Sequence, residues 1–148
     1  MAGRAHPHVL IVDDEESIQD VLSMVFGRAG FQTTCAASVA EAVENLSRRP
    51  THLTLDLNLP DGNGAQVLRH VRHGRLPIRV AVVTGAMELG LLAEVSRLQP
   101  DHTFQKPFRP AELVTWVHET TRQRPHSSYE MGAPPVSSTS TGELPCRI

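Results

Sequence analysis

Five short β-rich runs alternate with five helical patterns between about residues 8 and 122, and this alternation constrains the fold more than any other feature. The runs are Val9–Val12, Gln32–Ala36, Leu53-Thr54-Leu55 ending at Asp56, Ile78–Val83 and Thr103–Gln105. After the first, Ile18, Val21, Leu22, Val25 and Phe26 recur at helical spacing, with Gly30 suited to the helix end. Ser38 and Glu41 form a capping box ahead of Val39, Ala42, Val43 and Leu46. Ala65, Val67, Leu68 and Val71 mark the third helix, and Leu91, Leu92, Val95 and Leu98 the fourth. Pro110, at a first helical position, opens the last helix with Leu113, Val114 and Val117 inward. Repeated β–α units imply an α/β fold with a doubly wound parallel sheet and helices on both faces. In such sheets ligands gather beyond the carboxyl ends of the strands, near a topological switch point.

The domain is expected over residues 8–124, with 125–148 as a disordered tail or linker, because 13 of those last 24 residues are Pro, Gly, Ser or Thr. The formal net charge of -2 gives no basic excess for nucleic acid or an anionic membrane. No helix-turn-helix pattern follows Arg124, so direct DNA binding by this chain is not expected. No segment approaches the roughly 20 apolar residues of a membrane span. The N-terminus lacks a secretory pattern, and Cys35 and Cys146 form no disulfide framework or CxxC knuckle. A cytoplasmic protein is the expectation.

The strand ends carry the chemistry. Asp13-Asp14-Glu15-Glu16 follows the first strand, Asp56 ends the third, Thr84-Gly85 ends the fourth and Lys106-Pro107-Phe108 follows the fifth. Lys106 is the only lysine among 14 basic residues. Several carboxylates on one rim repel one another unless a cation sits among them. An all-oxygen donor set suits a partly hydrated Mg²⁺. A carboxylate beside a metal, an ammonium and a hydroxyl can accept a phosphoryl group.

Plainer readings compete with these. Asp13-Asp14 also suits a helix N-terminus. The run Asp56-Leu57-Asn58-Leu59-Pro60-Asp61 fails as a calcium loop, because Pro60 takes a ligand position and Asp61 the required glycine. Gly62 and Gly64 are turn residues, with Val67 where a dinucleotide fingerprint needs its third glycine. His70 and His73 lack a partner motif and read as a solvated helix face.

Four pieces together resemble the receiver domain of two-component response regulators over about residues 8–122: Val9-Leu10-Ile11-Val12-Asp13-Asp14-Glu15, Leu55–Gly64 around Asp56, Val82-Val83-Thr84-Gly85, and Lys106-Pro107-Phe108. The resemblance implies a flavodoxin-like (βα)5 fold with strand order 2-1-3-4-5. It implies that Asp56 accepts phosphate from a sensor histidine kinase or phosphotransfer protein. Mg²⁺ would be held by Asp14 directly, Asp13 through water, Asp56 and the Asn58 backbone carbonyl. Thr84 would bond the phosphate and report it, and Lys106 would pair with a phosphate oxygen. Such a domain is a switch, catalysing only its own phosphorylation and dephosphorylation. A homodimer would use the fourth helix, fifth strand and fifth helix.

The chain also departs from the family pattern. Thr103 stands at the aromatic switch position three before the lysine, and Phe104 should point elsewhere by strand alternation. His52 and Thr54 replace aliphatics, at an expected cost in core burial. Arg109 stands where a cap is expected, and Gln99-Pro100 where a glycine is. Two other functions compete. A haloacid-dehalogenase-like phosphatase opens with its nucleophile in a DxD motif, whereas here the acidic pair comes first and Asn58 stands two after Asp56. A receiver-like interaction module that is never phosphorylated does not need the full acidic, Thr and Lys set. The chain would be a stand-alone receiver or the front of a longer regulator.

Overall fold

The computed structural model describes residues 6–85 and 89–121, so the expectations for 125–148 lie outside the described residues. The elements run β1 (His8–Val12), α1 (Glu16–Arg28), β2 (Gln32–Ala36), α2 (Val39–Asn45) with a 3-10 turn at Leu46–Arg48, β3 (His52–Asp56), β4 (Asn58–Leu59), β5 (Gly62–Asn63), α3 (Ala65–His73), β6 (Arg79–Thr84), α4 (Leu89–Arg97), β7 (His102–Gln105) and α5 (Pro110–Thr121). The five long strands form one sheet in the order β2-β1-β3-β6-β7, all parallel. This is the expected doubly wound (βα)5 topology, with the order reversing at β1 and β3. Pro60-Asp61-Gly62-Asn63-Gly64 has strong turn chemistry, and the chain there forms the turn and second strand of a small antiparallel hairpin of β4 and β5.

Strand alternation divides the core into two layers. Leu10 and Val12, Leu53 and Leu55, and Val80 and Val82 pack with α2, α3 and α4. Val9 and Ile11, Ala81 and Val83 pack on the other face with Leu22 and Phe26 of α1 and Leu113, Trp116 and Val117 of α5. With both faces covered, the central strands β3 and β6 are buried at every position.

His52 and Thr54 do not reduce burial as the sequence suggested; both are 2% exposed. His52 bonds Thr51 Oγ1 at 2.8 Å through Nδ1 and Thr120 Oγ1 at 2.9 Å through Nε2, and its ring stands edge-on to Trp116 at 5.2 Å. Thr120 spends its proton on the Trp116 carbonyl at 2.6 Å, so it accepts from Nε2–H and fixes the neutral tautomer.

A second polar cluster lies at the start of β6. Arg72 of α3 donates to the Leu98 and Gln99 carbonyls at 3.1 and 2.7 Å and to Asp101 at 3.1 Å. Asp101 also accepts from Arg79 at 3.4 Å and from the Val80 amide at 2.7 Å. Arg72 thereby caps the end of α4. Gln99, at φ 54°, takes the left-handed conformation for which a glycine was expected.

Candidate functional site

Asp13 follows the last residue of β1, which lies between β2 and β3. Its amide donates to the Ala36 carbonyl at 3.1 Å, continuing the ladder one residue past the strand. Its Oδ1 accepts the Glu15 amide at 2.9 Å, so the side chain folds back over the start of α1. Gln19 donates to the Asp13 carbonyl at 2.6 Å and pins this corner from α1. Asp13 is 4% exposed, while Asp14 is exposed.

Asp56 is the last residue of β3 and is 5% exposed. Its Oδ1 accepts the Asn58 amide at 3.0 Å. Gly64 is packed against it, its amide donating to the Leu57 carbonyl at 2.9 Å. The acidic carboxylates of Asp13, Asp14 and Asp56 converge, each offering an oxygen within 4.8 Å of the others.

Lys106, just past β7, reaches across this cluster. Its Nζ lies 3.1 Å from Asp56 Oδ2, 3.2 Å from Asp13 Oδ2 and 3.8 Å from Glu15 Oε1. Burial pulls the lysine pKa down, but the Asp56 and Asp13 carboxylates outweigh it and hold the ammonium above the usual lysine range. Burial pushes the Asp13 carboxyl above its ordinary range; the Asp56 charge adds to this, against the Glu15 amide and Lys106. One ammonium among three carboxylates leaves a net negative, oxygen-lined corner suited to a hard divalent cation.

Thr84 ends β6 and is buried; its carbonyl accepts the Lys106 amide at 3.1 Å, joining the two strand ends. A Cβ on Gly85 would lie 3.4 Å from Lys106 Cβ, so the small residue leaves room for the lysine stem. Thr103 is exposed, and Phe104 packs into the α1–α5 layer, on the opposite side of β7. His70 and His73 are exposed on α3, away from the acidic corner.

The structure thus brings Asp13, Asp14, Asp56 and Lys106 together, with the Asn58 backbone and Thr84 adjoining. Three contributors escaped sequence reasoning. Gln19 looked like an ordinary helix residue, and the contact of Glu15 with Lys106 depends on where β7 ends. Asp61 looked like turn chemistry, yet its carboxylate accepts the Val39 and Ala40 amides of α2.

The sequence profile of the response regulator receiver domain matches residues 9–118. The chain belongs to that family. The receiver domain is 31% identical over 111 residues to the response regulator SaeR of Staphylococcus aureus (strain USA300), covering 75% of this chain and 49% of that protein. It therefore spans about half the length of the curated relative it matches. Its fold is similar to a CheY-like receiver domain protein from Methanospirillum hungatei JF-1, with a TM-score of 0.75 and 24% identity over 79% of this chain and 94% of that one. It is also similar in fold to a response regulator from Burkholderia pseudomallei solved with a phosphorylated aspartic acid, calcium ion and citrate, at TM-score 0.69 and 19% identity, covering 78% of this chain and 68% of that one. The receiver domain is a signalling switch of a two-component system, which favours this reading over the phosphatase. Among its described residues no helix is long and apolar enough to cross a membrane.

Proposed function

We propose that Asp56 is the phosphoacceptor, charged by a sensor histidine kinase or phosphotransfer protein, with Mg²⁺ held by Asp13, Asp14, Asp56 and the Asn58 carbonyl. The observation that carries this reading is Lys106 Nζ standing between Asp56 and Asp13 at 3.1 and 3.2 Å, inside a three-carboxylate cluster. The donor set is all oxygen, as the metal requires. When bound, the ion supplies positive charge against the oxygens of the transferring phosphoryl group.

The chain's own residues do the rest. An Asp56 oxygen bonds to phosphorus as the donor's P–N bond breaks, its electron pair staying on the leaving imidazole. The Asn58 amide and Lys106 hold the carboxylate, so attack needs little reorganisation. Lys106 shifts from the carboxylate pair to a phosphoryl oxygen and stabilises charge there. Thr84, whose carbonyl already holds the Lys106 amide, bonds the new group and carries its presence into β6. The domain acts as a switch and not as an enzyme on other substrates.

The reading extends to a homodimer through α4, β7 and α5, supported by β7 being an edge strand with three of its four residues exposed. The receiver unit covers 8–124 with 125–148 as a tail or linker, and the chain works in the cytoplasm without itself binding DNA. Incubation with acetyl phosphate and Mg²⁺, followed by intact mass, tests the central step. One phosphoryl group should appear, and none in Asp56→Asn. Undiminished labelling of that variant would overturn the assignment.

A further inference from the structure

The hairpin that follows Asp56 has few bonds of its own. β4 and β5 contribute two residues each, paired Asn58–Asn63 and Leu59–Gly62, and only Leu59 of the four is buried. A hairpin this short is marginal without support from elsewhere. Asp61, at its tip, provides that support. Its Oδ1 accepts the Val39 amide at 2.8 Å and its Oδ2 the Ala40 amide at 3.0 Å.

These are the first two amides of α2, which have no partner inside the helix. The next amide, Glu41, goes to Ser38 Oγ at 3.1 Å, and the Ala42 amide goes to the Ser38 carbonyl at 3.0 Å. Glu41 Oε1 in turn accepts the Ala37 amide at 2.9 Å, one residue ahead of the Ser38 amide that a standard box would use. The helix start is therefore closed by two separate devices, one local and one from a side chain 22 positions away. The carboxylate also sits at the positive end of the helix. Its two amide bonds hold Asp61 below the usual carboxylate range although it stands in solvent. α2 buries Val39 and Ala42 in the core, so it is a fixed post for the short hairpin.

We propose that Asp61 is a positioning residue for the metal site: by tying the hairpin to α2 it fixes the Asn58 carbonyl relative to Asp56. The inference rests on the reading above, in which Asn58 supplies a neutral ligand beside the acceptor. Asp61 itself touches no reacting atom. Its loss acts through Asn58, and so appears in metal affinity and not in the rate at saturating metal.

The test uses the full chain and calorimetric Mg²⁺ titration, with the Mg²⁺ dependence of acetyl phosphate labelling alongside. Asp61→Ala should weaken Mg²⁺ binding about three- to tenfold, below the loss typical of a group that directly supports a ligand. The labelling rate at saturating Mg²⁺ should stay within about twofold of wild type, the signature of a ground-state binding effect. Asp61→Asn, which keeps one acceptor and turns a donor toward the second amide, should fall between, and serves if the alanine variant fails to fold. Ser38→Ala is the decisive control. It removes a cap from the same helix without touching the hairpin, so it should lower the melting temperature yet leave Mg²⁺ affinity unchanged. Unchanged affinity in both Asp61 variants, or an equal loss in Ser38→Ala, overturns the proposal. Labelling that persists in Asp56→Asn instead overturns the acceptor assignment, and Mg²⁺ affinity unaltered in Asp14→Ala overturns the metal site.

Discussion

Gly64 lies against the backbone of Asp56 so closely that a Cβ built on it would stand 2.2 Å from the Asp56 carbonyl oxygen. Its φ of -57° is ordinary helical geometry, so the requirement for glycine is steric and not conformational. The start of α3 is thereby seated on the Asp56 backbone with nothing between them.

Gly64→Ala should push α3 away from β3. The expected cost is about 1–3 kcal/mol, the range for overpacking a filled site. Labelling of Asp56 should slow as well, because its carbonyl and the Leu57 backbone must shift. Urea unfolding by circular dichroism reads the first effect and acetyl phosphate labelling the second. Wild-type values for both would show that the helix start yields without disturbing the strand.

Lys106 supplies the next prediction. Lys106→Met leaves the three carboxylates in place, so Mg²⁺ binding should persist. The phosphorylated form should lose its change in amide exchange at Thr84, since the transferred group lacks a second positive partner. Lys106→Arg should not restore it, because a planar fork does not replace a point charge between carboxylates 3.1 and 3.2 Å away. Lys106 is the only lysine, so amine acylation of wild type is an independent probe. Normal switching by protein acylated there would contradict the assigned role.

The Asp13–Asp14 pair should respond unequally to metal. Asp14→Ala removes an exposed carboxylate assigned as a direct ligand, whereas Asp13 already has Lys106 and the Glu15 amide as partners. Mg²⁺ affinity should fall further in Asp14→Ala than in Asp13→Ala. Equal losses by calorimetry would mean that the two roles are not distinct.

His52 makes stability depend on pH. Burial foremost, with Arg79 adding and Asp101 opposing, lowers its pKa from 6.5 to about 4. Between those values the unfolded chain takes up a proton that the folded chain refuses. Stability is full above pH 6.5 and is lost as pH falls toward 4. The loss attributable to this group is about 3 kcal/mol. His52→Phe should flatten this slope, because the phenyl ring does not titrate; Thr120 keeps the Trp116 carbonyl, and the Thr51 hydroxyl, released from Nδ1, turns to the His8 carbonyl within reach. Urea midpoints at pH 7 and pH 5 for both proteins check it; equal slopes would remove His52 as the cause.

The layered fold was legible because its signals are periodic and local. Val9 to Val12, Leu53 to Leu55 and Val80 to Val83 declare strands whatever their partners, and the charged residues at their ends mark one rim. The acidic corner was legible for the same reason, since a parallel sheet gathers its strand ends. What stayed hidden depends on partners far apart in the chain. Asp61 sits in a Pro-Asp-Gly turn where aspartate already has a local explanation, so its bonds to Val39 and Ala40 left no trace. His52 breaks the hydrophobic pattern of β3, and only the arrival of Thr120, 68 positions on, makes its burial favourable. Arg72 and Asp101 meet across 29 positions. The left-handed Gln99 did leave a mark, as a glycine missing where one was expected.

The edge-on contact of His52 with Trp116 also equips the domain with an intrinsic fluorophore. Trp116 is the only indole in the chain. It stands beside the first residue of β3, and Asp56 is the last, about 13 Å away along an extended strand. Its emission is therefore blind to whatever binds at the acidic corner unless the seat of α5 changes. Any shift in that emission on phosphorylation would be light reporting motion carried the full length of the sheet, with no dye attached.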